Sequence, residues 1–178
     1  MDLQPTLVGE LLILRPTVPE DWAPLFAVAS DPLIWEIHPA HDRWQESIFR
    51  AYFDQALASG GGLTILDRAS GAVIGASRYY NAAPERGEIE LGYTFLARSH
   101  WGGRYNAEAK GLMLAHIHRW FETALFVVGE GNLRSQRAME KIGGVRRAEP
   151  RFVDYGSGPA RQIVYEIRRQ HPIAQDFS

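Results

Sequence analysis

The sequence predicts a mixed α/β sandwich: one central, mostly antiparallel sheet of about seven strands flanked by about four helices. Three observations predict it. The elements run β α α β β β α β α β β, with no internal repeat and no low-complexity linker. From Glu88 to Phe121 a strand period gives way, across Gly102-Gly103, to a helical one. The other strand-like runs are joined by short, glycine-containing turns suited to hairpins. At 178 residues and 46% hydrophobic the chain suffices for a single domain over 1–178, with a loose tail expected from about residue 171.

Leu11–Leu14 is a short apolar run ended by Arg15-Pro16, which suits an edge strand because proline cannot donate to a ladder. Pro19, Glu20 and Asp21 open a helix continued by Trp22, Leu25, Phe26 and Ala29. Leu33 to Arg43 has no clear period and reads as a loop; Trp44 to about Ser59 is a second helix, stopped by Gly60-Gly61-Gly62. Leu63–Asp67 and Ala72–Tyr80 form a hairpin through Arg68-Ala69-Ser70-Gly71, and Glu88–Phe95 adds a third antiparallel strand. In it, Ile89, Leu91, Tyr93 and Phe95 alternate with Glu88, Glu90, Gly92 and Thr94, so two carboxylates share a face. Leu112, Met113, Ile117, Trp120 and Phe121 mark the apolar stripe of the helix that follows. Leu125–Val128 is a fully apolar strand. Asn132 caps a short helix from about Leu133 to Ile142, with Gly143 as its stop. Val145–Asp154 and Gln162–Ile167 are the last two strands, joined through Gly156-Ser157-Gly158-Pro159.

A net charge of −2 and a pI near 6.3 supply no general attraction for nucleic acid or an anionic membrane, and neither is expected as a partner. The absence of cysteine excludes disulfides, thiolate catalysis and cysteine metal sites. MDLQPTLVGE lacks the basic and apolar regions of a signal peptide, and no apolar run approaches a membrane span of roughly 20 residues. A cytoplasmic protein is the expectation. His116 and His118, two apart on a helix, point to nearly opposite sides, so no metal is expected.

Gly102 and Gly103 permit positive φ and close approach of a ligand, and the helix behind them begins with N–H groups that have no internal partner. Such a turn favours phosphate. It matches neither the three-glycine dinucleotide fingerprint nor the Lys-Ser/Thr phosphate loop. A ligand-free βα connection and a nucleotide-phosphate site therefore both fit the turn taken alone.

Three further pieces, in this order, resemble the GNAT superfamily of acetyl-CoA-dependent N-acetyltransferases, specifically its RimJ/RimL-like branch. They are Leu14-Arg15-Pro16; Glu90-Leu91-Gly92-Tyr93 running into Trp101-Gly102-Gly103-Arg104-Tyr105-Asn106-Ala107-Glu108-Ala109; and Asn132-x-x-Ser135 followed by Glu140-Lys141-Ile142-Gly143. The resemblance covers nearly the whole chain and implies a GNAT-like fold with acetyl-CoA as co-substrate. It departs from the family's pyrophosphate signature Q/R-x-x-G-x-G/A, whose defining positions in the best register hold Trp101, Arg104 and Asn106; a shift of one residue puts Gly103 at the first glycine position and Tyr105 at the second. Met139 stands where many relatives have a tyrosine general acid.

By that resemblance the central strand splays near Phe95, Leu96 and Ala97 to admit the pantetheine arm. The turn Trp101, Gly102, Gly103, Arg104, Tyr105, Asn106 and Ala107 holds the pyrophosphate, while Asn132, Ser135 and Arg137 contact the coenzyme. Arg98 and Arg134 are further candidates for its phosphates. Glu90 is the candidate base, with Glu88 as understudy, and Ser135 the candidate acid for the coenzyme thiol. A solvated strand glutamate and a plain helix cap are the competing readings of Glu90 and Ser135. Trp35, His38, Trp44 and Tyr155 are candidates for the acceptor side or ordinary packing. The expected reaction moves acetyl to a primary amine, on a small molecule or a protein N-terminus. The alternatives are an inactive CoA- or peptide-binding module and an unrelated nucleotide-phosphate protein, and a homodimer is compatible with the resemblance.

Overall fold

The computed structural model describes residues 1–155 and 158–170. The Gly156-Ser157 part of the expected turn and the tail from His171 lie outside the described residues. Nine strands form one sheet: β1 (Leu7–Val8), β2 (Leu12–Pro16), β3 (Gly62–Asp67), β4 (Val73–Ala83), β5 (Glu88–Leu96), β6 (Thr123–Gly129), β7 (Val145–Arg146), β8 (Arg151–Asp154) and β9 (Pro159–Arg168). The order is β1-β2-β3-β4-β5-β6-β9-β7, with β8 also on β9. Every pairing is antiparallel except β5 with β6. Among the described residues four α-helices flank the sheet: α1 (Trp22–Ala29), α2 (Glu46–Ala58), α3 (Tyr105–Ile117) and α4 (Leu133–Lys141). The parallel pair requires a crossover, and α3 is that crossover.

The expected sandwich is present, with two strands more than the periodicity showed. β1 is two residues long, too short to display a period. The run Val145–Asp154 is two strands, β7 and β8, both paired with β9 on either side of a break at Pro150, which has no N–H to donate. The helix from Tyr105 stops at Ile117 rather than running on through Trp120, which is exposed; Phe121 is buried beyond its end. Trp44 likewise precedes α2 and is exposed. Among the described residues no helix is long and apolar enough to cross a membrane.

Two apolar clusters lie on opposite faces of the sheet. Leu12, Leu14, Leu63, Ile65, Ile89 and Leu91 meet Met113, Ile117 and Phe121 around α3. Leu25, Phe49, Phe53, Trp35 and Phe95 pack under α1 and α2. Simple alternation would put Ile89, Leu91 and Phe95 on the same face, yet Phe95 belongs to the second cluster and Leu96 to the first. The cause is a bulge: Arg78 pairs with Gly92 but Ala76 pairs with Phe95, so β5 has one extra residue. Tyr93 takes it up with φ of 54°, and the Tyr52 hydroxyl donates to the Tyr93 carbonyl at 2.6 Å. The inserted residue flips the face of everything after it.

Arg15 explains the Leu14-Arg15-Pro16 motif structurally. Its guanidinium donates to both Asp21 oxygens, at 2.8 and 2.6 Å, and Thr64 Oγ1 and Val18 N donate to the same carboxylate. This ties the start of α1 to β2 and β3.

Candidate active site

β5 and β6 pair only over Glu88–Glu90 with Thr123–Leu125. Beyond that point β6 stays with β9 along its whole length, while β5 stays with β4 and bulges at Tyr93. The two strands part, and an open cavity of about 560 Å³ occupies the gap. Its walls are Leu91–Leu96 on one side and Phe126–Gly129 on the other, with the turn before α3 and the segment of Trp35 and His38 with Tyr155 completing the lining. α4 closes one flank with Asn132, Ser135, Arg137, Ala138 and Met139.

At the turn, Gly102 has φ of 72°, and a Cβ on either Gly102 or Gly103 would meet nothing within 4 Å. The backbone is therefore open to a ligand in front of α3, a helix whose first N–H groups favour an anion. Trp101 donates its ring N–H to the Leu96 carbonyl at 2.9 Å, tying the turn to the end of β5. Arg134 stacks on this anchor, its guanidinium 3.9 Å from the Trp101 ring.

The structure brings together on the cavity wall Phe95, Leu96, Trp101, Gly102, Gly103, Asn106, Ala107, Asn132, Ser135 and Arg137. Arg104, Tyr105 and Ala97 are not on it. Arg104 turns outward to Glu10 at 2.5 Å, and the Tyr105 hydroxyl donates to Asp67 at 2.9 Å. All three substitutions in the phosphate signature are thus placed: Trp101 and Asn106 are on the cavity wall and Arg104 points away from it. Arg98 also points away, to Asp31 at 2.5 Å. Asn132 caps α4, its Oδ1 accepting from Ser135 N at 3.2 Å. The Ser135 hydroxyl itself has no hydrogen bond among the described residues and faces the cavity. Met139 is buried against the same wall.

Glu90 is 5% exposed and lies outside the cavity wall. Its carboxylate accepts from Arg151 at 2.5 Å and Asn81 at 3.3 Å. Tyr80 lies against both Glu90 and Gly92: its hydroxyl is 3.1 Å from where a Gly92 Cβ would be, and Gly92 is on the wall. Burial first, then the Glu90 carboxylate, push the Tyr80 phenol well above its ordinary value. Glu88 is held by Arg147 at 2.6 Å and Arg86 at 3.3 Å, whose pairing keeps its carboxyl below the usual range.

In the aromatic part of the cavity, Trp35 is buried and Trp44 takes no part in the wall. His38 Nδ1 accepts from Ala40 N at 2.9 Å, so the neutral ring carries its proton on Nε2. Burial, then the charges of Arg43 and Arg134, push the imidazole down to about 3, so at neutral pH His38 offers a donor and not a base. Behind it Arg43 lies 5.2 Å from the Trp35 ring and 5.0 Å from the Tyr52 ring. Arg78 sits over Tyr93 at 4.2 Å, and its Nε has no partner among the described residues. Among the described residues Arg43 has no ion pair, and burial holds its guanidinium below its ordinary value.

The wall also holds Lys110, which the sequence reading did not single out. A signal was present: Met113 and Ile117, three and seven residues on, belong to the core stripe, so helical spacing puts Lys110 on the inward face. Buried Lys110, the unpartnered Ser135 hydroxyl and the open glycine turn together fit a long ligand with an anionic end. Acetyl-CoA has that form.

Residues 12–145 match the family model described as the acetyltransferase (GNAT) domain. No curated protein matches the sequence. Among solved structures, an acetyltransferase of T. thermophilus is 27% identical, with a TM-score of 0.74 over 92% of this chain and 88% of that one. Mycobacterium smegmatis RimJ in complex with CoA-disulfide is similar in fold, at 17% identity and a TM-score of 0.73 over 92% and 87% of the two chains. So is the Microcin C7 self-immunity acetyltransferase MccE in complex with acetyl-CoA and AMP, at 10% identity and 0.77 over 94% and 99%. With most of its length matched by the family model and its strands parted beside an open glycine turn, this chain belongs to the GNAT family of acetyltransferases, whose acyl donor is acetyl-CoA.

Proposed function

We propose that the protein acetylates a primary amine, on a small molecule or a peptide N-terminus, by direct attack within a ternary complex. The observation that carries this reading is the parting of β5 and β6 between an open glycine turn and an aromatic-lined end. Acetyl-CoA supplies a thioester carbonyl open to attack. The turn amides of Gly102 and Gly103 hold its phosphates, and Asn132 and Arg137 line its path. With no cysteine in the chain, a cysteine-bound acyl enzyme is excluded.

The amine must lose a proton. At pH 7 that costs about 4.6 kcal/mol for a lysine-like amine near 10.4 and about 1 kcal/mol for an α-amine near 7.8. Glu90 is the proton acceptor in this proposal, reached past Gly92 by way of the Tyr80 hydroxyl or a water. Ser135 Oγ, without a hydrogen bond among the described residues and on the cavity wall, supplies the proton for the departing thiol sulfur.

Arg43 and Arg78, buried and without an ion pair among the described residues, place two cations around Tyr52 beside the aromatic part of the site. They favour an amine accompanied by an anionic group, an amino acid or acidic peptide, over a polyamine. A screen of thiol release from acetyl-CoA, with mass spectrometry of the product amide, tests both points. The expected result is an acetylated acceptor bearing a carboxylate. Exclusive use of polyamines would contradict the charge argument, and donor binding without any amide formed would favour a non-catalytic module.

A further inference from the structure

Lys110 is unlike the other cations of the site. Its residue is 8% exposed, it stands on the cavity wall, and its Nζ lies 5.1 Å from the Phe126 ring. It has neither hydrogen bond nor ion pair among the described residues. Burial alone pushes its ammonium down to about 8, and no carboxylate acts on it. A buried cation persists where something neutralises it, and an aromatic face does so only in part. The remaining partner has to come from the cavity.

The direction of the side chain says which part of a ligand it meets. Side chains on a helix lean toward its N-terminus. Lys110 lies five residues into α3, about 7.5 Å along the axis, which a lysine chain largely spans. Its Nζ stands over Phe126 of β6, on the same cavity wall as Asn106, Ala107 and the open glycine turn. The turn's own cation cannot do this work, because Arg104 is paired with Glu10 and turned outward. Arg134 is engaged with Trp101 and the Ile34 carbonyl, and Arg137 and Lys141 are on α4, across the cavity from α3.

We propose that Lys110 is the counter-ion of the donor's diphosphate, reaching the anion from inside α3 while the turn amides hold it from in front. This rests on the assignment of the cavity to coenzyme A. It also accounts for a turn that departs from the family's signature: the positive charge is supplied from the helix instead of the loop. Lys110 is a binding and positioning residue here, with no part in the proton transfers.

Isothermal titration at pH 7 with CoA, dephospho-CoA and pantetheine tests the proposal on the wild type and Lys110→Met. The expected result is a loss of about 10- to 100-fold in affinity for CoA, the size of one charge-assisted contact. Dephospho-CoA, which keeps the diphosphate, should lose the same factor, and pantetheine none. Without ligand the variant should melt at or above the wild-type temperature, since an unpaired buried cation has been removed. If the methionine variant does not fold, Lys110→Gln reads the same loss of charge. Unchanged CoA affinity, or an equal loss for pantetheine, would overturn the role of Lys110 while leaving the donor site standing. A wild type that binds no CoA would remove the donor site and the proposal together.

Discussion

Replacing Glu90 by glutamine is expected to lower kcat/KM by about 10²–10⁴, the range of a positioned general base, with the largest loss at low pH. The pH dependence separates this role from a structural one. Above the amine's pKa the acceptor arrives as free base and the carboxylate matters less. Below it, every turnover needs a proton removed. Glutamine keeps the oxygen that accepts from Arg151 and Asn81, so the ion-pair neighbourhood should survive in outline. A pH–rate profile parallel to that of the wild type would assign Glu90 to holding Arg151 and remove it from the base role.

Asp21→Ala carries the largest expected effect on stability. The carboxylate collects a two-pronged contact from Arg15, the Thr64 hydroxyl and the Val18 amide in a site where its side chain is 4% exposed. Removing it takes the ion pair from Arg15, which keeps its bond to the Pro16 carbonyl, and leaves the buried Thr64 hydroxyl with Thr17 alone, at about 3–5 kcal/mol. For a chain of this size that is a fall in melting temperature of about 6–20 °C. Burial alone would raise the Asp21 carboxyl, but the bonds from Arg15, Val18 and Thr64 outweigh it and hold it below the usual range. Its contribution is therefore present above the ordinary carboxylate value near 3.9 and lost as pH falls through the lower folded value. Calorimetry between pH 7 and pH 2 should show the variant and the wild type converging at the acid end. A constant gap would contradict the ion-pair account.

The sheet was legible in the sequence wherever a strand was long enough to show a period, and it was lost where strand chemistry is local. β1 is two residues, and the β7–β8 break depends on Pro150 inside a run that otherwise reads as one strand. The bulge at Tyr93 was invisible for another reason: nothing in GYTFL demands an extra residue, and only the pairing with β4 shows it. That bulge moves Phe95 to the opposite face and helps to part β5 from β6, so the feature that opens the site is a tertiary one. The glycine turn and the Asn132 cap were readable because their chemistry is local: one positive φ and one side-chain bond to a backbone amide. Which side chains of the turn face the ligand was not readable. Arg104 looked like a phosphate cation and is tied to Glu10, whereas Lys110, which the sequence reading did not single out, is buried on the cavity wall.

Thermal unfolding with and without acetyl-CoA tests the donor site most directly. At about 100 times its dissociation constant a ligand adds roughly 2.7 kcal/mol. That corresponds to a rise of about 5–11 °C for this chain. The expected result is that rise with acetyl-CoA and none with ATP or NAD. No shift at millimolar acetyl-CoA, or an equal shift with ATP, would contradict the assignment of the parted strands and the glycine turn to coenzyme A.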